Sequence, residues 1–155
     1  MIRPPLVYGP GVKGNFRRLL KWVDRGIPLP LASIDNRRSM VGLSNLVDFI
    51  EVCMTHGEAM DQVWFVADDE SVATPQLLRK IALQMRRPSR LMHFPTAWLR
   101  RIAAITNLSD EVDRLCSSLR VDARACRELL QWVPKVSMNE ELARTIAAYR
   151  AEDMR

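Results

Sequence analysis

Met1-Ile2-Arg3-Pro4-Pro5-Leu6-Val7-Tyr8-Gly9-Pro10-Gly11-Val12-Lys13-Gly14-Asn15 opens the chain and decides how the rest is read. Residues 1–8 are apolar and partly β-branched, which predicts a strand. Three glycines and a proline follow within six positions and predict a loop. Asn15 then stands where a helix of about eleven residues needs a cap. Leu19, Leu20 and Val23 recur at helical spacing, and Gly26 suits the left-handed position past the helix end.

Residues 9–14 spell a literal G-x-G-x-x-G, and Asp35 lies 21 residues beyond Gly14. Strand, glycine loop, helix and a later acid form the pattern of a dinucleotide-binding fingerprint. The prolines argue against it. The first strand of such a unit is central and needs its ladder donors, whereas this one carries Pro4 and Pro5. Pro10 fixes the loop, and Pro28 and Pro30 stand where the next parallel strand is due. A helix N-terminus after a flexible loop still favours an anion, and Asn15 adds a side-chain amide there.

Residues 27–31 cannot be helical, Asp35-Asn36 signals a turn, and residues 39–41 read as a short extended piece. Ser44 is placed to cap a helix reaching His56 and closed by Gly57. Val63-Trp64-Phe65-Val66 reads as a buried strand. Thr74 as cap with Pro75 behind it opens a helix with Leu77, Leu78, Ile81, Ala82 and Met85 on one face. Residues 91–94 suggest a second short strand. Helices are expected over 95–106, after Ser109, and after Asp122. Ser137 and Glu140 form a capping box for a last helix carrying Leu142, Ile146 and Tyr149. The expected fold class is a helix-rich α/β chain with few, short strands.

The 155 residues suffice for one ordinary core. Lys and Arg number 23 against 18 acids, a net charge of +5, which favours anionic partners of several kinds. Cys53, Cys116 and Cys126 form no C-x-x-C pair, so zinc spacing is absent and reduced thiols in a cytoplasmic protein are expected. No apolar run is long enough for a membrane span, and the N-terminal residues do not read as a signal peptide.

Three segments carry a resemblance. Residues 3–11, Arg-Pro-Pro-Leu-Val-Tyr-Gly-Pro-Gly, are similar to the R-P-P-x-x-Y-G-P-G strand and loop of extended short-chain dehydrogenase/reductases. Residues 36–48 are similar to that family's R-S-(F/L)-(V/I)-x-V-x-(N/D)-L-(V/A) segment. Residues 122–134 are similar to its D-x-x-K-A-x-x-x-L-G-W-x-P signature. The three occur in family order and span nearly the whole chain. The chain thus resembles the C-terminal, substrate-binding half of an NAD-dependent epimerase/dehydratase, in the manner of UDP-glucose and UDP-N-acetylglucosamine 4-epimerases of bacterial surface-polysaccharide synthesis. The implied fold is a partial domain with remnant edge strands of the family's Rossmann sheet.

The resemblance implies roles. Asn15 would face the pyrophosphate of a UDP-sugar, residues 28–31 (Pro28, Leu29 and Pro30 above all) would lie along the uracil, and Arg38 would pair with the pyrophosphate. A guanidinium suits phosphate because its planar fork makes charge-assisted bonds. Arg114 would reach the phosphates too. Pro4 and Pro5 would line the nicotinamide of NAD(H), the cofactor of the full-length family. The family's catalytic Y-x-x-x-K is not matched: Tyr8 is followed four residues on by Val12, and Tyr149 by Asp153. The chain by itself is therefore expected neither to hold NAD tightly nor to turn over a UDP-sugar. Leu6 replaces a sugar-contacting Asn of some epimerases, and Gln131 replaces the Gly before Trp132. An unpaired sheet edge predicts a homodimer or an oligomer formed by exchange of an element. A small basic helical module for nucleic acid or a protein is the alternative, although no recognition-helix pattern accompanies the arginine pairs.

Overall fold

A computed structural model describes residues 1–59, 62–95 and 115–153. The helices expected at 95–106 and after Ser109 fall on or run into residues 96–114, which lie outside the described residues, as does Arg114. The chain divides into two compact units, one of Met1–Arg17, Ser39–Ser71 and Arg120–Arg155, the other of Arg18–Arg38 and Val72–Leu119.

In the first unit the strand expected over 1–8 is two strands. β1 (Ile2–Arg3) and β2 (Leu6–Tyr8) belong to different sheets, because Pro4 and Pro5 withhold two consecutive ladder donors. β1 pairs in parallel with β4 (Trp64–Phe65), Ile2 opposite Trp64. β2 pairs in parallel with β3 (Met40–Gly42), Val7 opposite Val41. Three helices join them: α2 (Leu43–Thr55), α4 (Arg124–Leu130) and α5 (Met138–Asp153). Phe49 is the centre of the core, 5.0 Å from the Trp132 ring and 6.4 Å from Trp64 in edge-on contacts. Val41, Val66, Cys126 and Leu130 close around them. Truncating such a ring costs about 3–5 kcal/mol.

The second unit holds most of α1 (Gly14–Asp24), which starts in the first unit, and α3 (Thr74–Met85). Leu19, Leu20 and Val23 are buried as their spacing predicts, and so are Leu77, Leu78, Ile81, Ala82 and Met85. Gly26 sits at φ +64 and ends α1 with the paired bonds of a Schellman turn: Gly26 N–H to Val23 O, and Ile27 N–H to Trp22 O, both 3.0 Å. The second strand read at 91–94 reduces to a single parallel bridge between Leu29 and Leu91.

Four expected caps are displaced by one or two residues. Asn15 lies inside the first turn of α1, which begins at Gly14. Ser44 lies inside α2, whose cap is Gly42. Thr74 lies inside α3, capped by Ala73, and Asp122 precedes the cap of α4, Ala123. In two of these a distant side chain does the work: Glu141 Oε1 accepts from Ser44 N–H (3.3 Å), and Asn36 Oδ1 accepts from Thr74 N–H (2.8 Å). The capping box at α5 is as expected, with Ser137 and Glu140 exchanging backbone and side-chain bonds.

Candidate functional site

The loop after β2 turns through Val12 N–H to Gly9 O, 3.1 Å. Gly9 is glycine for packing: a Cβ there would lie 2.5 Å from Leu43 Cβ and 2.9 Å from Glu141 Oε1. Gly11 and Gly14 have φ of +76 and +62 with open space around them, so they serve the turn. This loop does not fit a dinucleotide cradle, since its closest approach is consumed inward by the protein's own side chains. Asn15 is exposed at the N-terminus of an eleven-residue helix without acids in its first turn, which suits an anion. Pro4 is exposed and Pro5 half-buried at the break between β1 and β2.

In the second unit, residues 28–31 form an irregular segment with one bridge at Leu29 and a bend at Pro30. Leu29 is buried; its N–H donates to Arg90 O and its carbonyl accepts from Met92 N–H, both 2.9 Å. Pro28 is exposed and Pro30 half-buried, so the segment's accessible surface comes from the prolines. Arg38 is clamped through its backbone on both sides. It exchanges bonds with Val72 (3.0 and 3.1 Å) in an antiparallel bridge and forms a parallel bridge with Leu119. Its side chain is half-buried, and that burial lowers its pKa from the ordinary guanidinium value. Arg37 is exposed, as alternation along an extended segment requires. By sequence Asn36 reads as a turn residue. The structure makes it a staple: fully buried, its amide donates to Thr74 Oγ1, Leu115 O and Ser117 O at 2.9–3.1 Å.

The first unit contains a polar centre that the motifs did not signal. The buried Asp68 carboxylate accepts from Tyr8 Oη (2.8 Å), Asn45 Nδ2 (2.8 Å) and Gly42 N–H (3.1 Å). Burial pushes the Asp68 carboxyl above its usual range, against the pull of those donors. Burial and the Asp68 charge push the Tyr8 phenol far above 10, so Tyr8 is a fixed donor and not a proton acceptor. Beside this centre lies an open cavity of about 460 Å³, lined by Ser39, Asp69, Arg120, Asp122, Arg124 and Arg127 among others. Its charges are largely matched: Arg124 holds Asp122 at 2.6 Å and Arg127 pairs with Asp69. Asn15, Pro4 and Pro5 thus belong to one unit and Pro28–Arg38 to the other.

The described residues contain no cluster of three metal-type ligands. Cys126 is buried, donates to Phe65 O, and has its thiol pushed up to about 11, by burial first, which makes it inert packing. No described helix is long and apolar enough to cross a membrane.

No family model matches the chain. It is 39% identical over 150 residues to a UDP-glucose 4-epimerase of Vibrio cholerae, a match covering 96% of this chain and 46% of that protein. The chain therefore spans about half the length of this curated relative. Among solved structures, UDP-glucose 4-epimerase of Thermotoga maritima with UDP-glucose superposes with a TM-score of 0.70 at 19% identity, over 97% of this chain and 45% of that one. The Thermus thermophilus UDP-glucose 4-epimerase complex with NAD gives 0.68 at 17% identity, over 96% and 45%. These two likenesses are evidence of fold.

Proposed function

Because the chain matches a fragment of the NAD-dependent epimerase/dehydratase family, we propose that it is the nucleotide-sugar-binding portion of a UDP-sugar epimerase. The observation that carries this reading is Arg38. Its half-buried guanidinium stands on a segment whose backbone is bonded to two other stretches. A partly desolvated cation gains more from a pyrophosphate than a fully solvated surface arginine does. On this reading Asn15 offers its amide and helix end to a phosphate, Pro28 and Pro30 offer flat apolar surface to the base, and Arg114 adds a second cation. Pro4 and Pro5 would meet NAD, which in the full-length family takes up and returns a hydride. The 155 residues contain no Tyr and Lys at Y-x-x-x-K spacing, so binding without turnover is expected of this chain by itself.

Titration of UDP-glucose into the chain, read by ligand-observed NMR or calorimetry, tests it. Arg38→Ala should weaken binding about 10- to 150-fold, from the roughly 1.5–3 kcal/mol of a charge-assisted bond. Arg37→Ala, its exposed neighbour, should change little. Equal losses from both substitutions that vanish at high salt would overturn the reading in favour of a diffuse basic patch for nucleic acid.

A further inference from the structure

Charge is divided unevenly between the two units. In the second, Arg18–Arg38 contributes five cations and two acids and Val72–Leu119 eight and three, a net charge of +8 in a chain whose total is +5. Between Glu70 and Asp110 the sequence holds no acid and seven Lys or Arg. Gln76, Arg79 and Leu83 are the exposed residues of α3, and the exposed Arg86 and Arg87 follow at its end. The end of α1 is tied to this edge: Arg87 Nη2 donates to Asp24 Oδ1 and Arg90 Nη1 to Gly26 O, both 3.2 Å. Arg25 and Ile27, the chain neighbours of those acceptors, therefore lie at the same edge. Cations beside helix C-termini offset the local dipoles, which accounts for Arg86, Arg87 and Arg90. It does not account for the apolar side chains among them. Leu83 is 79% exposed between Arg79 and Arg86 at helical spacing, and Ile27 and Met92 are 39 and 51% exposed.

We propose that this face of the second unit, centred on Leu83, docks reversibly on a membrane surface rich in anionic lipid. The inference goes beyond the nucleotide-sugar reading and does not depend on it. Clustered cations draw a protein to negative headgroups, and the apolar stems of arginines lie along the acyl boundary while their charged heads stay in water. Aliphatic side chains set among them enter that boundary and leave water. Arg79, Leu83 and Arg86 on one edge, with Arg25 and Ile27 at the neighbouring helix end, supply both parts. The charge matches such a surface because no acid lies on this stretch of α3 and the Asp24 carboxylate is held by Arg87. A nucleic acid fits worse. Phosphate contacts make no use of Leu83, Ile27 or Met92, and the stacking that anchors single strands needs exposed rings. The described residues of this unit expose none, since Trp22 and Phe94 are half-buried.

Co-sedimentation of the 155-residue chain with vesicles of phosphatidylglycerol and phosphatidylcholine in equal parts, against vesicles of phosphatidylcholine alone, tests it. The chain should bind the first and not the second, and binding should weaken as salt rises. Each cation lost from the face should weaken partition about fivefold, so Arg79→Ala with Arg86→Ala should weaken it roughly 25-fold. Arg124→Ala, which removes an exposed cation of the first unit, should change little. Leu83→Gln keeps the charge and a good helix former. It should weaken vesicle binding several-fold while leaving the thermal midpoint, and any binding of single-stranded DNA, unchanged. Equal losses from Arg124→Ala and from either arginine of the face would reduce the effect to net charge and overturn the proposal. Vesicle binding indifferent to Leu83→Gln would overturn it too, as would a chain left in the supernatant by the anionic vesicles at low salt. Binding of single-stranded DNA that falls with Arg79→Ala and Arg86→Ala, in the absence of vesicle binding, would assign the face to nucleic acid instead.

Discussion

Gln131 sits at φ 49, ψ 27, in the left-handed region that the family signature fills with glycine. Its N–H and that of Trp132 both reach back to Cys126 O, which stops α4 and turns Trp132 into the core. The side chain of Gln131 is exposed and contributes no packing. Replacing it by glycine removes a backbone penalty of about 1–2 kcal/mol and adds roughly 0.5–1 kcal/mol of unfolded-state entropy. Gln131→Gly should therefore stabilise the chain by about 0.5–1 kcal/mol, a rise in melting temperature of roughly 1–4 °C for a chain of this size. Gln131→Ala keeps the Cβ and should change little, and Gln131→Val should lose stability because a branched side chain tolerates the conformation least. Differential scanning calorimetry or urea unfolding of the four proteins measures the order. The reasoning fails if Gly and Ala behave alike, or if Gly falls below the wild type. Arg86 offers an independent repeat, since it is exposed at φ 54 behind α3.

Asp68→Ala strands the donors of Tyr8, Asn45 and Gly42 and should cost about 3–5 kcal/mol, read by urea unfolding; a loss under about 1 kcal/mol would mean that water replaces the carboxylate freely. Burial lifts the folded Asp68 above the ordinary carboxyl value of about 4. The native state therefore keeps its proton where the unfolded chain has released it, and the group's contribution falls as pH rises through that window. Asp68→Asn lacks this slope, so the stability advantage of wild type over Asp68→Asn should be smaller at pH 7 than at pH 4, and an equal gap would contradict the shift. Glu141→Ala removes the acceptor of Ser44 N–H and leaves space against Gly9 and Gly42, at a cost of about 2–4 kcal/mol. Gly42→Ala forces a Cβ to 2.9 Å from Glu141 Cγ and should cost about 1–3 kcal/mol alone, but little on top of Glu141→Ala.

What was legible in the sequence was local. The stripes of α1 and α3, the turn at Gly26 and the capping box at Ser137 depend on spacings of a few residues, and each is present. The rejected fingerprint was legible too, because prolines at 4, 5, 28 and 30 forbid the ladder it requires. Two of the misplaced caps share a cause. Sequence rules assign a helix start to the nearest Ser, Thr or Asn, but at α2 the orphan amide is met by Glu141, 97 residues away from Ser44. At α3 it is met by Asn36, 38 residues before Thr74. A carboxylate or amide arriving from elsewhere frees the local position to be Ala73, or Gly42, where a Cβ would lie 2.9 Å from Glu141 Cγ.

The same logic explains why the polar centre escaped notice while the arginine did not. Arg38 announces itself through a segment of defined residue types. Asp68 ends an unremarkable apolar strand, and its three donors come from Tyr8, Gly42 and Asn45, which no spacing rule connects. Yet Tyr8 closes β2, Gly42 closes β3, and Asp68 follows β4, so the centre ties the ends of strands from both two-stranded sheets. Those sheets are too small to hold their register by ladder bonds alone. A buried carboxylate with three donors is costly unless every bond is made, and here the bonds come from the end of β2 and from the junction of β3 with α2. The centre therefore makes the arrangement of the strand ends all-or-none within this unit. Loss of Asp68 should on that account loosen β2 and β3 together in hydrogen exchange, whereas loss of Arg38 should leave their protection intact. Protection lost in one strand only would show that the ladders, and not the carboxylate, hold the ends in place.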